Sequence, residues 1–264
     1  MYVLHSVLNN RGIVMIVLKT TRELDAMAKS GLIVAKALEA AEEAVKPGMT
    51  TMELNNIVEK VITGEGAKPS FKGYRGFPAC CCISPNNVVV HGIPSKSIVL
   101  QEGDIVSIDV GAFFEGFHGD AARTLAVGKI SEEARRLIDT TRECFFEGMK
   151  MAVDGNRVGD IGSAVQAHAE KNGYSVVREL VGHGVGRELH EAPDIPNFGL
   201  AGKGVRLTKG MVIAIEPMIN MGTKDVSFSK KDGWTVTTKD GKLSAHYENT
   251  VAITENGPKI LTLR

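Results

Sequence analysis

Residues 107–120 carry the sequence SIDVGAFFEGFHGD, which predicts two antiparallel β-strands joined by a turn near Phe114 and Glu115. In that pairing, Asp109 lies opposite Asp120. Side chains opposed across two strands have Cβ atoms roughly 4.5–5.5 Å apart, so two ionised carboxylates at these positions repel each other. The hairpin is therefore expected to keep both aspartates only with a shared proton or a cation between them.

Further carboxylates stand at the ends of other predicted strands. Glu216 follows an apolar run, and Glu248 comes just before the apolar run 250–253. A charged side chain at such a position is costly when it is buried and unpaired. The sequence GHGVG at 182–186 surrounds His183 with glycines, which let a backbone approach a ligand closely. Together with the hairpin, these residues predict a metal site.

The donor types indicate which ions would bind. Four carboxylates and one imidazole carry four negative charges, which two divalent cations neutralise. Oxygen-rich ligands with one nitrogen favour Mn, Fe(II), Co or Zn. Two such ions about 3.5–4 Å apart can share a water, lower the pKa of that water and polarise a carbonyl. The predicted chemistry is hydrolysis, and the predicted ligands are Asp109, Asp120, His183, Glu216 and Glu248.

The sequence resembles itself at a shift of 107 residues. Residues 102–109 align with residues 209–216, and both segments consist of a turn glycine, an apolar β run and a carboxylate. Two similar half-domains with a site between them follow from this pattern. Apolar periodicity and capping residues predict an α+β fold with a largely antiparallel sheet. We expect helices over 21–46, from Thr50 to about Gly66, from Ser131 to about Val153 and over 158–171, and strands over 87–90, 105–110, 211–215 and 250–253.

Composition narrows the class of protein. The 264 residues include 31 Lys and Arg and 31 Asp and Glu, and no basic tract gives a nucleic-acid footprint. No apolar run approaches the roughly 20 residues of a membrane helix. The cysteines at 80–82 and Cys144 lack the spacing of a disulfide framework, and reduced thiols are typical of a cytoplasmic protein.

Several motifs together resemble one family, the type I methionine aminopeptidases of the short bacterial kind, which belong to the pita-bread metallopeptidases. The motifs occupy 46–54, 82–84, 91–94, 109–123, 182–186, 190–193, 216–217, 233–236 and 247–249. The resemblance implies two pseudo-symmetric half-domains with a central sheet covered by helices. It covers about residues 16–264, where we expect one catalytic domain. Residues 1–15 are expected to be a poorly ordered N-terminal extension.

The resemblance also implies residue roles. Asp109 would chelate one of two divalent ions (Co, Mn, Fe(II) or Zn), Asp120 and Glu248 would bridge both, and His183 and Glu216 would complete the other. A metal-activated water would attack the carbonyl after an N-terminal methionine, with Glu216 as a candidate general base. His190 would stabilise the oxyanion, and His91 would assist near the scissile amide. The methionine pocket would be formed by Tyr74, Phe77, Cys82, His91, His190 and Trp234.

Some residues depart from the resemblance or lie outside it. Leu189 stands where some relatives have an aromatic residue, and Phe77 stands where Tyr is also found. Cys80 and Cys81 match no pattern in the family. No role follows for His5, His118, His168 and His246, and for His118 packing or support of a ligand is favoured over ligation.

The expected function is removal of the N-terminal methionine from nascent polypeptides whose second residue is small. The expected setting is the cytoplasm, as a monomer, transiently near the ribosome, with no nucleic acid or membrane as partner. One alternative is an X-Pro aminopeptidase or dipeptidase of the same fold, although such enzymes carry a substantial extra N-terminal domain. A non-catalytic binding protein is a second alternative, but the five candidate ligands are all present.

Overall fold

The computed structural model describes residues 3–9 and 12–264, with side chains from residue 15 onward. The helices of this described part are α1 (Thr21–Ala44), α2 (Thr51–Gly64), α3 (Glu132–Lys150) and α4 (Val158–Lys171). None of these described helices is both long enough and apolar enough to cross a membrane. The strands are β1 (Val3–Asn9), β2 (Gly12–Leu18), β3 (Lys68–Pro69), β4 (Cys81–Pro85), β5 (Val88–Val90), β6 (Ile105–Phe114), β7 (Phe117–Ala126), β8 (Ser175–Val176), β9 (Gly182–Gly184), β10 (Glu191–Ile195), β11 (Val212–Ile215), β12 (Met218–Asn220), β13 (Val226–Phe228), β14 (Val236–Thr238), β15 (Ser244–His246), β16 (Asn249–Thr254) and β17 (Gly257–Ile260).

The predicted helix starts are confirmed by their caps. Thr20 and Glu23 form a capping box before α1, in which each side chain accepts a hydrogen bond from the other residue's backbone. Thr50 and Glu53 form the equivalent box before α2. One residue of the predicted apolar stripe of α1 is not buried, because Leu32 is 40% exposed.

The central hairpin forms, but its predicted register is wrong. Gly111 pairs with Asp120, and Asp109 pairs with Ala122 rather than with Asp120. The turn lies one residue later than predicted because Glu115 (φ 48°) and Gly116 (φ 87°) form its two-residue loop. Such a loop needs positive φ at both central residues, which Gly116 adopts without strain. The two aspartates are therefore diagonal neighbours on one face of the sheet.

The sheets are antiparallel, as the sequence predicts. One sheet has the order β10-β9-β11-β16-β17, and another has the order β3-β6-β4 with β7 paired to β6. Two three-stranded sheets, β15-β12-β8 and β13-β14-β5, complete the part of the chain that carries the site. Every described strand pair is antiparallel.

The two halves repeat each other at the predicted shift of 107 residues. Helix α4 begins and ends 107 positions after α2, and β8 lies 107 positions after β3. Equivalent backbone hydrogen bonds also recur. Gly48 donates to the Leu100 carbonyl over 2.8 Å, and Gly155 donates to the Leu207 carbonyl over 3.0 Å. The pita-bread arrangement of two pseudo-symmetric halves is confirmed.

The halves meet where β7 of the first half passes β16 of the second. The Thr250 hydroxyl donates to the Asp120 carbonyl over 2.8 Å and accepts from the Asp120 amide over 3.0 Å. Glu248 and Ala122 also exchange backbone hydrogen bonds of 3.0 and 3.3 Å. Helices α1 and α2 pack on the first half and α3 and α4 on the second, each over its own apolar core.

The N-terminal segment was expected to be an extension over residues 1–15. Residues 1, 2, 10 and 11 of it lie outside the described residues. Strands β1 and β2 pair antiparallel, and β2 continues past residue 15 to Leu18. Ile16 is buried, and Lys19 forms an ion pair of 2.5 Å with Glu191. The boundary between an extension and a single domain over 16–264 stays a prediction.

Helix α1 approaches β7 at backbone distance, and this contact should not tolerate a methyl group. A Cβ added at Gly31 would lie 2.0 Å from the Leu261 carbonyl oxygen, and one at Gly119 would lie 2.9 Å from the Gly31 nitrogen. We expect Gly31→Ala to lower the free energy of unfolding by roughly 1–3 kcal/mol because the backbone must shift. Urea unfolding would measure the change.

Gly64 supplies the matched control at the end of α2, since a Cβ there meets nothing within 4 Å. Gly64→Ala should be neutral, or stabilising by up to about 1 kcal/mol, because it reduces the freedom of the unfolded chain. Equal stability of the two variants would contradict the close approach.

Candidate active site

A cavity of about 520 Å³ opens between the two halves and brings together every site residue that the sequence predicts. Its floor holds the five candidate metal ligands, and its walls hold the candidate substrate and catalytic residues. The predicted residues that line it are Tyr74, Phe77, Cys82, His91, Asp109, Asp120, His183, His190, Glu216, Trp234 and Glu248.

Each half contributes donors to the floor. Asp109 and Asp120 come from β6 and β7, His183 from β9, and Glu216 directly follows β11. Glu248 directly precedes β16 at the junction between the halves. The donors converge because the ends of strands from both halves meet at this junction.

The distances within the floor suit a shared cation. His183 Nε2 lies 3.5 Å from Glu216 Oε1 and 3.8 Å from Asp120 Oδ2. Donor atoms of Asp120, His183 and Glu248 all lie within 4.8 Å of one another, close enough to bind one ion. These separations are longer than hydrogen bonds, so the donors do not satisfy each other directly.

Burial makes the carboxylates hard to ionise without a cation. It raises the pKa of Asp109 from 3.8 to about 7. Burial, reinforced by the neighbouring carboxylates, raises the pKa of Asp120, Glu216 and Glu248 well above their ordinary values. Within the described part of the chain, one oxygen each of Asp109, Asp120 and Glu248 is buried with no hydrogen-bond partner. Orphaned carboxylate oxygens around one space fit a divalent metal centre.

His183 is oriented as a ligand by its own loop. Its Nδ1 donates to the Gly184 carbonyl over 2.9 Å, which directs the Nε2 lone pair towards the carboxylates. Burial lowers the pKa of His183 to about 4, so the imidazole is neutral at physiological pH. Glycines flank it because a Cβ at Gly182 or Gly184 would lie 2.3–2.4 Å from a neighbouring carbonyl oxygen.

Two further histidines stand beside the metal ligands. The His190 ring lies 4.0 Å from the His183 ring and stacks on Tyr74 at 5.2 Å. Burial, with a smaller contribution from His183, lowers the pKa of His190 to about 3. Burial also lowers the pKa of His91, whose ring meets Trp234 edge-on. Both imidazoles are therefore neutral and able to donate a hydrogen bond at physiological pH.

The wall of the cavity is an apolar cluster. Phe77 and Cys82 are buried, and the Trp234 ring packs edge-on against Phe77 at 5.2 Å. The Trp234 backbone is held by a hydrogen bond of 2.8 Å to Asp232 Oδ1. Such a pocket suits an unbranched apolar side chain.

Sequence reasoning missed residues of the wall and one of the floor. Phe71 and Leu189 complete the apolar cluster, but no sequence pattern distinguishes them from ordinary core residues. His246 lies beside Glu216 and Glu248. Its spacing of two residues from Glu248 was an available signal. His118 does not line the cavity and forms a 2.8 Å hydrogen bond with Ser70.

Comparison with known proteins places the chain in a family. Residues 25–255 match the model of metallopeptidase family M24. The methionine aminopeptidase of Clostridium perfringens is 57% identical over 249 residues, which span 94% of this chain and 99% of that protein. Methionine aminopeptidase 1 of Bacillus subtilis is 50% identical over 248 residues, spanning 94% and 99% of the two chains.

Solved structures agree. The crystal structure of the Rickettsia prowazekii methionine aminopeptidase superposes with a TM-score of 0.93 at 43% identity, covering 94% of this chain and all of that one. The chain belongs to metallopeptidase family M24. Within this family it is one of the type I bacterial methionine aminopeptidases, and it is a metal-dependent hydrolase.

The raised pKa of Asp109 predicts a pH-dependent strain in the metal-free protein. The folded state holds the Asp109 proton more tightly than the unfolded state, so the stability present below about pH 4 is lost as pH rises through about 7. We expect metal-free Asp109→Asn to be more stable than metal-free wild type at pH 8 by roughly 1–3 kcal/mol, with the gap closing near pH 4.

Urea unfolding of chelator-treated protein at both pH values measures this gap. Asp139→Asn, on the exposed face of α3, is the matched control and should show no comparable gap. A metal-free Asp109→Asn variant that is less stable than wild type at pH 8 would contradict the electrostatic assignment.

Proposed function

We propose that the protein removes the N-terminal methionine from polypeptides whose second residue is small. The observation that carries this proposal is a buried set of metal donors at the floor of a cavity with apolar walls. A cavity of this kind accepts one apolar side chain and presents the adjoining carbonyl to the floor. The family relationship supports the same reaction, because the relatives are methionine aminopeptidases.

Two divalent ions would be held by the five donors of the floor. In this assignment Asp109 serves one ion, His183 and Glu216 serve the other, and Asp120 and Glu248 serve both. When bound, the ions supply Lewis acidity towards a carbonyl and a nucleophilic water at neutral pH. Co, Mn, Fe(II) and Zn all match this mixture of oxygen and nitrogen donors.

The substrate side chain would enter the apolar wall. Phe77, Cys82 and Trp234 offer ring and sulfur surfaces, which make favourable contacts with a thioether. Tyr74 and His190 form the opposite side through their stacked rings. Binding methionine there places its carbonyl over the carboxylate floor.

Three residues would handle the reacting amide. Glu216 faces the floor and would accept the proton of the attacking water. Neutral His190 would donate a hydrogen bond to the carbonyl oxygen as negative charge develops on it. His91, which lines the same cavity, would donate near the scissile amide.

The proposed setting is the cytoplasm, where the protein would act as a monomer on chains emerging from the ribosome. The described cysteines, at 80–82 and 144, are buried free thiols, which suit a reducing compartment. A substrate that is a polypeptide N-terminus suits a cavity open at one end.

The proline-directed enzymes of the same fold are the second candidate. The prolidase of Pyrococcus furiosus superposes with a TM-score of 0.75 at 29% identity, and the match covers 94% of this chain but 65% of that one. The shared part includes the pita-bread domain, so the fold alone does not separate the two activities. A direct choice between peptide substrates is therefore needed.

Peptide hydrolysis separates these activities. Metal-stripped protein is reconstituted with Mn, Co, Fe(II) or Zn and given Met-Ala-Ser, Met-Lys-Ser and Ala-Pro-Ser. We expect metal-dependent release of methionine from Met-Ala-Ser alone, because a long second side chain should not fit between the cavity walls. Cleavage of Ala-Pro-Ser would instead assign the protein to the proline-directed branch, and no cleavage with any metal would refute the proposed reaction.

The role of His190 gives a second test. Removing one donor to an oxyanion lowers kcat roughly 10²–10³-fold in comparable enzymes. We expect His190→Ala to show a loss of this size while metal affinity, measured by calorimetry, changes by a few-fold at most. His168→Ala is the control, because His168 lies on α4 and bonds Glu143 away from the cavity. A parallel fall in metal affinity would make His190 a metal ligand instead.

A further inference from the structure

We propose that His246 is a further ligand of the metal centre, its Nε2 serving the ion on the Asp109 side. The proposal rests on the metal site of the proposed function and adds a second imidazole to it. His246 ends β15, and its side chain is 2% exposed. It lies on the opposite side of Glu216 from His183.

The position of His246 relative to the carboxylates matches that of His183. His246 Nε2 lies 3.7 Å from Glu216 Oε2 and 3.9 Å from Glu248 Oε2. The corresponding distances from His183 Nε2 to its two carboxylates are 3.5 and 3.8 Å. Bonds of roughly 2.0–2.2 Å to a common ion place ligand atoms roughly 3–4 Å apart. Both imidazoles therefore have the spacing of ligands and not that of hydrogen-bond donors.

The donors divide into two groups that share one residue. Asp120, His183 and Glu248 form one group, and donor atoms of Asp109, His246 and Glu248 form another, each within 4.8 Å. Each group contains one aspartate, one imidazole and the shared Glu248. Glu216 presents Oε1 to His183 and Oε2 to His246. The arrangement gives each of two ions its own nitrogen donor.

The surroundings of His246 leave its ring without another use. Neither ring nitrogen has a hydrogen-bond partner in the described part of the chain, although both are buried. Such a loss is costly unless something in the site compensates it. Thr124 fixes the backbone of His246, since its Oγ1 accepts from the His246 amide over 2.9 Å and donates to the His246 carbonyl over 2.8 Å. Burial lowers the pKa of His246 to about 3, so the ring is neutral and keeps a lone pair for an ion.

The two imidazoles differ in how firmly they are oriented. His183 Nδ1 is anchored to the Gly184 carbonyl, whereas His246 Nδ1 has no such anchor. A ligand fixed by a second hydrogen bond binds its metal more tightly. We therefore expect the ion beside His183 to be the tighter of the two, and loss of His246 to weaken the other.

Metal titration of the metal-free full chain tests the proposal. Co(II) is added to wild type, His246→Leu and His246→Gln, and binding is followed by calorimetry and by the visible absorption of the bound Co(II). We expect both variants to lose at least tenfold in affinity for one equivalent and to change its absorption, while the other equivalent stays within about threefold. His168→Gln is the control and should match wild type.

Several results would overturn the proposal. If His246→Gln matches wild type and only His246→Leu is impaired, the ring acts as a hydrogen-bond donor and not as a ligand. If both variants bind two equivalents with wild-type affinity and absorption, His246 has no part in the centre. Wild type that binds no Co(II) would refute the metal site of the proposed function as well, which distinguishes the two failures.

X-ray absorption of wild type loaded with two Co(II) keeps the proposal testable if the variants fail to fold. Two imidazoles for two ions give an average of one imidazole nitrogen per ion. His183 alone gives half of one. An average of one supports His246 as a ligand, and an average of one half refutes it.

Discussion

The constraint on which this structure depends is the crowding of four carboxylates into one buried space. Like charges at such distances oppose folding, and burial adds to the cost. The fold accepts this cost because strands from two halves are joined beside the site. The hydroxyl of Thr250 bonds both backbone groups of Asp120, and Glu248 is paired to Ala122 through the backbone. A bound cation turns the same crowding from a source of strain into a source of affinity.

The internal repeat explains how a chain arrives at such a site. Asp109 and Glu216 occupy equivalent positions 107 residues apart, each at the end of an apolar run that follows a turn glycine. Those glycines, Gly103 and Gly210, share the same positive φ of 95° and 93°. Two copies of one unit, packed about an axis, thereby bring carboxylates together that each copy alone would leave unpartnered. The apolar wall, with Trp234, breaks this symmetry and gives the cavity one orientation.

The sequence predicts the donors better than it predicts their contacts. Residue type and period identify Asp109 and Glu216, because a carboxylate in an apolar run is conspicuous. The register of the hairpin was misjudged by one turn position, because Glu115 adopts positive φ beside Gly116 and the sequence does not require that of a glutamate. Residues such as His246 and Leu189 were missed as members of the site because their places depend on packing between distant strands, which local patterns do not encode.

The contact of Gly31 with the Leu261 carbonyl has a consequence for how the chain is completed during synthesis. It joins the first helix to a backbone group only four residues from the end of the described chain. The N-terminal half therefore cannot reach its final packing until the ribosome has released almost the whole polypeptide. A protein proposed to work on newly made chains would thus itself be among the last to close, gaining its metal-binding shape only after its own synthesis ends.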